Sequence, residues 1–198
     1  MTFEESLQIG QMGETAIARW LRNKGHTVLP VYEKVIDTGK GPQLFLPDGC
    51  LVAPDMLIYR GDKVLWIESK YKTRFSWYGK GRNWVTGIDL RHYNDYLKVD
   101  QLSPWPVWLL FLHIETIPSI SDLERWSCPD SCPAGLFGST LKSLQATESH
   151  RSDKHGKTGM VYWSIGNLKK IAELYEVCPE YKPVQPAVQM SLLAEVTP

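Results

Sequence analysis

The sequence has no excess of charge of either sign. Its 198 residues include 22 Lys and Arg and 22 Asp and Glu, so the formal net charge is zero. A protein that coats nucleic acid without specificity would be strongly basic. An acidic disordered chain would lack the 43% hydrophobic and 11% aromatic residues found here. The composition therefore favours a folded domain that can bind a polyanion only through a local patch.

Cysteines and long apolar runs are also scarce. The four cysteines are too few for a disulfide framework in a chain of this length, which favours reduced thiols or metal ligands. No apolar run approaches the roughly 20 residues that span a bilayer. The acidic start lacks the basic and apolar regions of a signal peptide. We therefore expect a cytoplasmic protein without a membrane segment.

The apolar pattern predicts one α/β domain over residues 1–178 and a tail that holds four prolines over 179–198. Extended segments are expected at 26–33, 43–46, 51–59, 63–72, 106–115 and 159–165. Helices are expected at 2–24, from 86 to about 97, and at 167–177. Irregular structure is expected at 76–86 and in an insertion at about 120–158. This order of elements predicts a mixed central β-sheet flanked by helices.

Two carboxylates and a lysine meet on a predicted hairpin. If Gly61 and Asp62 form its two-residue turn, Asp55 lies opposite Glu68, with Cβ atoms about 5 Å apart. Lys70 shares that face because it follows Glu68 by two residues. Facing carboxylates repel unless a positive charge lies between them, and their oxygens suit Mg²⁺. Such an ion would activate a water, and Lys70 could stabilise charge on that water or on a phosphate.

A further carboxylate lies on the first predicted helix. Ile17 and Leu21 mark its apolar side, and Glu14 precedes Ile17 by three positions, so it points the same way. Glu14 could join the site as a ligand or through a water. The alternative is a surface hairpin with solvated charges. Glu68 follows the apolar run 64–67, where a bare surface charge is not expected.

This arrangement resembles the PD-(D/E)xK, or restriction-endonuclease-like, nuclease superfamily. Residues 54–55 read Pro-Asp, residues 68–70 read Glu-Ser-Lys, and a short predicted hairpin joins them. The upstream helix with Glu14 matches the first core helix of the family. The resemblance covers residues 3–115, over half of the chain. Small phage or repair nucleases and Holliday-junction resolvases share this minimal layout.

The resemblance implies a restriction-endonuclease-like core and a metal-dependent nuclease. Asp55, Glu68 and the backbone carbonyl of Ser69 would bind Mg²⁺ or Mn²⁺, Lys70 would assist the water, and Glu14 would be linked to the metal. The expected substrate is DNA, in repair, recombination or phage DNA processing, and exonuclease and endonuclease action both stay open. A homodimer is also open, because cutting two strands often needs two active sites.

Residues 69–88 carry five basic residues and no acidic one, with aromatic residues between them. Basic groups neutralise phosphates, and exposed aromatic rings stack on unpaired bases. The glycines at 79 and 81 predict a loop beside the metal site. The alternative is that some of the rings belong to the core. The candidate nucleic-acid-binding residues are Lys72, Arg74, Trp77, Tyr78, Lys80, Arg82 and Trp84.

Four residues of the predicted irregular insertion have zinc-ligand spacing. Cys128 and Cys132 are four positions apart, and His150 and His155 are five apart. Both separations fit a tetrahedral structural zinc site. Zinc would also order a segment that has little core of its own. The alternative is an ordinary turn, because a proline follows each cysteine.

The tail contains an apolar pentapeptide, Gln189, Met190, Ser191, Leu192 and Leu193. It resembles the short peptide by which bacterial replication and repair proteins dock on the sliding clamp, and extended segments often dock in this way. The alternatives are a chance match or a tail that packs on the domain. Two rival functions stay open: a catalytically silent nucleic-acid-binding protein on the same fold, and a zinc-stabilised interaction module.

Overall fold

The computed structural model describes residues 3–31 and 42–181, with side chains from Gly10 onward. The clamp-docking segment 189–193 lies outside these residues. The helices are α1 (Phe3–Asn23), α2 (Leu90–Leu102), α3 (Ile120–Arg125), α4 (Leu141–Ala146) and α5 (Leu174–Val177). The strands are β1 (Thr27–Pro30), β2 (Gln43–Leu46), β3 (Gly49–Val52), β4 (Met56–Arg60), β5 (Lys63–Lys72), β6 (Ser76–Tyr78), β7 (Asn83–Asp89), β8 (Val107–His113), β9 (Gly135–Thr140), β10 (His150–Ser152), β11 (Met160–Ser164) and β12 (Lys169–Ala172). Among the described helices, none has both the length and the apolar character that crossing a membrane requires.

A six-stranded mixed sheet forms the centre of the fold, in the order β1-β4-β5-β8-β9-β12. β5 and β8 run parallel, and the other neighbours are antiparallel. Ile17 of α1 belongs to the apolar cluster on one face, and Tyr93 of α2 belongs to the cluster on the other. The predicted mixed sheet flanked by helices is confirmed.

The hairpin of β4 and β5 has the predicted register. Arg60 pairs with Lys63, and the ladder continues to Met56 paired with Ile67. Gly61 has a φ of 58°, as this tight two-residue turn requires. β5 then continues for five residues past the end of β4. This segment, Glu68–Lys72, pairs with β8, the one strand bonded to it among the described residues, and is called the β5 overhang below.

Residues 76–86 form strands, so the predicted loop is wrong. β6 and β7 make a hairpin in a second sheet, ordered β10-β11-β7-β6. Trp84 is buried, and its ring meets that of Trp77 edge-on at 4.9 Å. The glycines occupy the turn between the strands, where Arg82 adopts a left-handed φ of 48°. Apolar packing against the α2 side of the central sheet thus outweighs the composition typical of a loop.

The predicted irregular insertion and the last predicted helix also differ from the structure. Residues 120–158 hold α3, β9, α4 and β10, and β9 is an interior strand of the central sheet. Most of residues 167–177 form β12 and the one-turn helix α5 rather than one helix. Both β9 and β12 are short, and their pairing partners are distant in sequence. Local periodicity therefore could not reveal them.

Gly13 lets α1 lie close against β5, and we expect Gly13→Ala to destabilise the protein. An added Cβ would be 2.5 Å from the Cβ of Tyr71, which cannot rotate away. Such overpacking costs about 1–3 kcal/mol, against a gain in helix propensity of up to about 1 kcal/mol. In the same helix, Gly10 has nothing within 4 Å of an added Cβ. Gly10→Ala should therefore raise stability by about 0.5–1 kcal/mol in urea unfolding. Equal effects of the two substitutions would contradict this close packing.

Candidate active site

Asp55 lies one residue before β4 and reaches the β5 overhang. Its Oδ2 accepts hydrogen bonds from the backbone N and the Oγ of Ser69, both at 2.7 Å. Its backbone carbonyl accepts a hydrogen bond from the N of Val31 at 2.8 Å. These three bonds fix the carboxylate beside Glu68, which the register places opposite it. Oδ1 does not take part in these side-chain bonds and can accept a further ligand.

Glu68 is completely buried, although it carries a carboxylate. Lys70 forms an ion pair with its Oε1. Neither oxygen has a hydrogen-bond partner of good geometry among the described residues. Burial, and then the charge of Asp55, raise the pKa of Glu68 to about 8, against the lowering effect of Lys70. A buried oxygen with no donor is costly unless a cation or a ligand satisfies it.

Glu14 and Lys70 complete the polar cluster. Burial and the charge of Asp55 raise the pKa of the half-buried Glu14 to about 7, while Lys70 lowers it. Burial lowers the pKa of Lys70, but the charges of Glu68 and Asp55 outweigh it and raise that pKa above its ordinary value. Lys70 is therefore a persistent cation. One ammonium against three carboxylates leaves negative charge in excess.

The residues present fit a divalent cation of the Mg²⁺ type. The donors are oxygens, one carboxylate is completely buried, and a charge of +2 would balance the excess when all three carboxylates are ionised. Within residues 3–31 and 42–181, no group of three or more His, Cys, Asp or Glu side chains is placed to hold a metal ion, so the protein would supply two carboxylates and a backbone carbonyl. A cation held by Asp55, Glu68 and the Ser69 carbonyl would keep waters in its remaining positions, as Mg²⁺ commonly does.

Two further residues of α2 lie beside this cluster. Tyr96 is buried, and its pKa is raised well above the ordinary value by burial and by the charges of Glu68 and Asp55. Burial, and then the Lys70 charge, lower the pKa of His92. Their spacing of four positions on one helix was the signal that could have placed them at the site.

The predicted nucleic-acid-binding residues differ in their exposure and in their contacts. Lys80 and Arg82 are exposed in the β6–β7 turn. Trp84 is buried and Trp77 packs against the core, so neither ring is free to stack on a base. Arg74 forms an ion pair with Glu115 and also donates to a backbone carbonyl. The half-buried ring of Tyr78 is stacked on His150, with centroids 4.0 Å apart. Lys72 lies on the β5 overhang.

The predicted zinc site is not formed. Cys132 is buried, and its Sγ donates to the Glu115 carbonyl. His150 is stacked on Tyr162 as well as on Tyr78, and the Nδ1 of His155 is 2.7 Å from the Tyr162 hydroxyl. The described part of the chain holds no group of three or more potential metal-ligating side chains, so the spacing match is wrong. The reason is that His150 on β10 is held in a stack between Tyr78 and Tyr162, while His155 lies edge-on against Tyr162.

Comparison with known proteins finds no protein-family model and no curated protein that matches the chain. Among solved structures, the chain is similar to Archaeoglobus fulgidus Hjc, a Holliday junction resolvase from an archaeal hyperthermophile. The TM-score is 0.44 at 11% identity, covering 80% of this chain and 90% of that chain. It is also similar to D212, a nuclease from a fusselovirus, with a TM-score of 0.35 at 15% identity, covering 89% and 90% of the two chains. The function therefore rests on the chain's own residues.

Proposed function

We propose that the chain is a metal-dependent nuclease that hydrolyses phosphodiester bonds of DNA. The observation that carries this proposal is the completely buried Glu68 carboxylate, which lies beside a second carboxylate, Asp55, with Lys70 as its ion-pair partner. A fold rarely keeps such a charge without a use, because burying it is costly. Asp55, Glu68 and the Ser69 carbonyl would hold Mg²⁺ or Mn²⁺, and Glu14 would act through a bound water.

The cluster can support hydrolysis in a simple way. A bound divalent cation supplies charge stabilisation at the phosphate and lowers the pKa of water. Lys70 stays protonated, so it donates hydrogen bonds to the attacking water or to a phosphate oxygen rather than acting as a base. Asp55 keeps its position through the two bonds from Ser69. The water loses a proton to solvent as its oxygen bonds to phosphorus, the bond from phosphorus to the leaving sugar oxygen breaks, and that oxygen takes up a proton from solvent.

Basic residues that follow the site in the sequence favour a nucleic acid as substrate. Lys72 on the overhang and the exposed Lys80 and Arg82 are cations in the stretch that begins at the site. Cations placed in this way neutralise backbone phosphates without reading bases. Repair, recombination and phage DNA processing are all consistent with this chemistry, by endonuclease or exonuclease action.

A cleavage panel tests the proposal. Purified protein is incubated with single-stranded, double-stranded and four-way-junction DNA, and with RNA, in Mg²⁺, in Mn²⁺ and in excess chelator. We expect hydrolysis of at least one DNA form with either metal and none with the chelator. Binding of DNA without hydrolysis in either metal would instead support a catalytically silent nucleic-acid-binding protein on the same fold. Hydrolysis undiminished by the chelator would contradict the metal site.

Recruitment by a sliding clamp through Gln189–Leu193 is a separate part of the proposal. It rests on the sequence alone, because that segment lies outside the described residues. Titration of a purified clamp with the full chain and with a chain that ends at residue 188 would test it. Loss of clamp binding on truncation is expected, and equal affinity of the two chains would refute it. A homodimer would be recognised by the mass of the protein in solution.

A further inference from the structure

The β5 overhang aligns three charged side chains on one face of the central sheet. Successive side chains of a strand alternate between faces, so Glu68, Lys70 and Lys72 share a face. Their Cα atoms follow each other at about 6.6 Å, twice the rise of about 3.3 Å per residue. One nucleotide step advances about 3.4 Å along the axis of a duplex, and further along the winding backbone. Lys72, four residues past Glu68, therefore lies about 13 Å from it along the strand, which is more than one nucleotide step along the duplex axis.

Lys72 has no anionic partner within the described residues. None of their ion pairs includes it. Its neighbour across the parallel ladder is His113, which is fully buried. Burial and the Lys72 charge lower the pKa of His113 to about 3, so the imidazole is neutral. Phe75 stacks on this imidazole, with centroids 3.6 Å apart. The wall beside Lys72 is therefore uncharged.

The environment of Lys72 opposes its charge. Burial, and then the Lys70 charge, lower the pKa of the half-buried Lys72 to about 8. The Lys72 ammonium is half-buried between an uncharged aromatic wall and the Lys70 ammonium. Among the described residues, it lacks the counter-charge that normally accompanies a buried ammonium. An anion bound there would supply that charge. Lys70 differs, because Glu68 already neutralises it.

We propose that Lys72 binds a backbone phosphate close to the scissile one, so that the cleaved strand runs along the β5 overhang with the scissile phosphate at the metal site and a neighbouring phosphate at Lys72. The inference rests on the proposed nuclease function and deepens it. It assigns a subsite that holds the strand in register, within a few nucleotides of the bond that breaks, and that recognises charge and not base. The enzyme therefore requires a charged linkage near the bond it cleaves.

An experiment that combines one substitution in the protein with one chemical change in the DNA tests this subsite. The DNA form cleaved in the panel is prepared with a neutral methylphosphonate at one of the first three linkages on either side of a mapped cleavage position. With the wild type, we expect one of these neutral linkages to slow cleavage by about tenfold, the size of one charge-assisted hydrogen bond. Lys72→Met, which keeps most of the side chain, should slow cleavage of natural DNA equally and should lose the sensitivity to the neutral linkage.

Lys63→Met is the matched control, because Lys63 is an exposed lysine at the other end of β5. This variant should cleave natural DNA as the wild type does and should keep the sensitivity to the neutral linkage. Full sensitivity in Lys72→Met, or equal cleavage of natural DNA by Lys72→Met and the wild type, would overturn the subsite.

A binding measurement separates the subsite from catalysis. Single-stranded DNA is titrated in chelator at several salt concentrations, where no cleavage occurs. Loss of one phosphate contact should reduce the slope of log K against log salt by about 0.7 for a single strand. An unchanged slope in Lys72→Met would overturn the subsite even if the chain hydrolyses no DNA. If Lys72→Met reduced the slope while the wild type hydrolysed no DNA, the phosphate contact would be supported and only the nuclease function would be refuted.

Discussion

Glu68→Gln should lower the rate of DNA cleavage by about 1000-fold or more while the metal-free protein stays folded. The substitution keeps the shape of the side chain and removes the charge that would hold the cation. A cation at a phosphate contributes several kcal/mol to the transition state, and each 1.36 kcal/mol is a factor of ten in rate. Single-turnover cleavage at saturating enzyme measures the effect.

The same substitution should not reduce stability, because the wild-type carboxylate is buried beside Asp55, and burial together with the Asp55 charge disfavours its ionised form more than Lys70 favours it. Removing one of these charges relieves repulsion in the metal-free protein, so its melting temperature should stay the same or rise. Asp62→Asn, in the exposed β4–β5 turn, is the matched control and should change neither quantity. A variant that retained the wild-type cleavage rate would show that Glu68 does not hold the catalytic metal.

Trp163→Ala should lower the free energy of unfolding by about 3–5 kcal/mol, the range for removal of a large aromatic side chain from a core. Trp163 is fully buried on β11, and its Nε1 donates to the Leu144 carbonyl at 2.8 Å. Its ring packs edge-on against Tyr93 of α2 and lies 6.2 Å from the ring of Phe111 on β8. The loss therefore affects the contact between the second sheet and the central sheet. Urea unfolding followed by tryptophan fluorescence and by circular dichroism measures it.

Trp105→Ala is the control for this experiment. Trp105 is 38% exposed in the segment between α2 and β8, so its removal should cost less than about 1 kcal/mol. The two probes should give one coincident transition in the Trp163 variant. If the central sheet instead kept its wild-type midpoint while the second sheet unfolded alone, the second sheet would be a separate unit.

The site was more predictable than the fold around it. A two-residue turn fixes the register of a hairpin, so the positions of Asp55 and Glu68 followed from counting residues outward from Gly61 and Asp62. The position of Glu14 followed from helical spacing. These features depend on residues close in sequence. The roles of these residues in catalysis and metal binding stay predictions.

The wrong predictions of secondary structure share one cause, which is strand pairing between segments that are far apart in the sequence. β7 pairs with β11 across more than 70 residues, and the glycines and polar residues near β6 favoured a loop. β9 reaches the interior of the central sheet because β8 and β12 bind its two edges. The exposure of Trp84 was misjudged for the same reason, since the surface that buries it includes residues far along the chain. Tertiary context determines strand structure more strongly than local composition does.

The location of the parallel pair has a consequence for how the chain folds. β5 and β8 can pair only after the intervening hairpin and α2 have been accommodated, because Glu68 and Leu109 are opposite each other but 41 positions apart. The bond from Ser69 to Asp55 spans only 14 positions. Closing a short loop costs less entropy than closing a long one, and non-local pairing slows folding. Asp55 and Glu68 can therefore be neighbours early in folding, whereas the ladder of β7 and β11, which joins Thr86 to Trp163, is expected to form late.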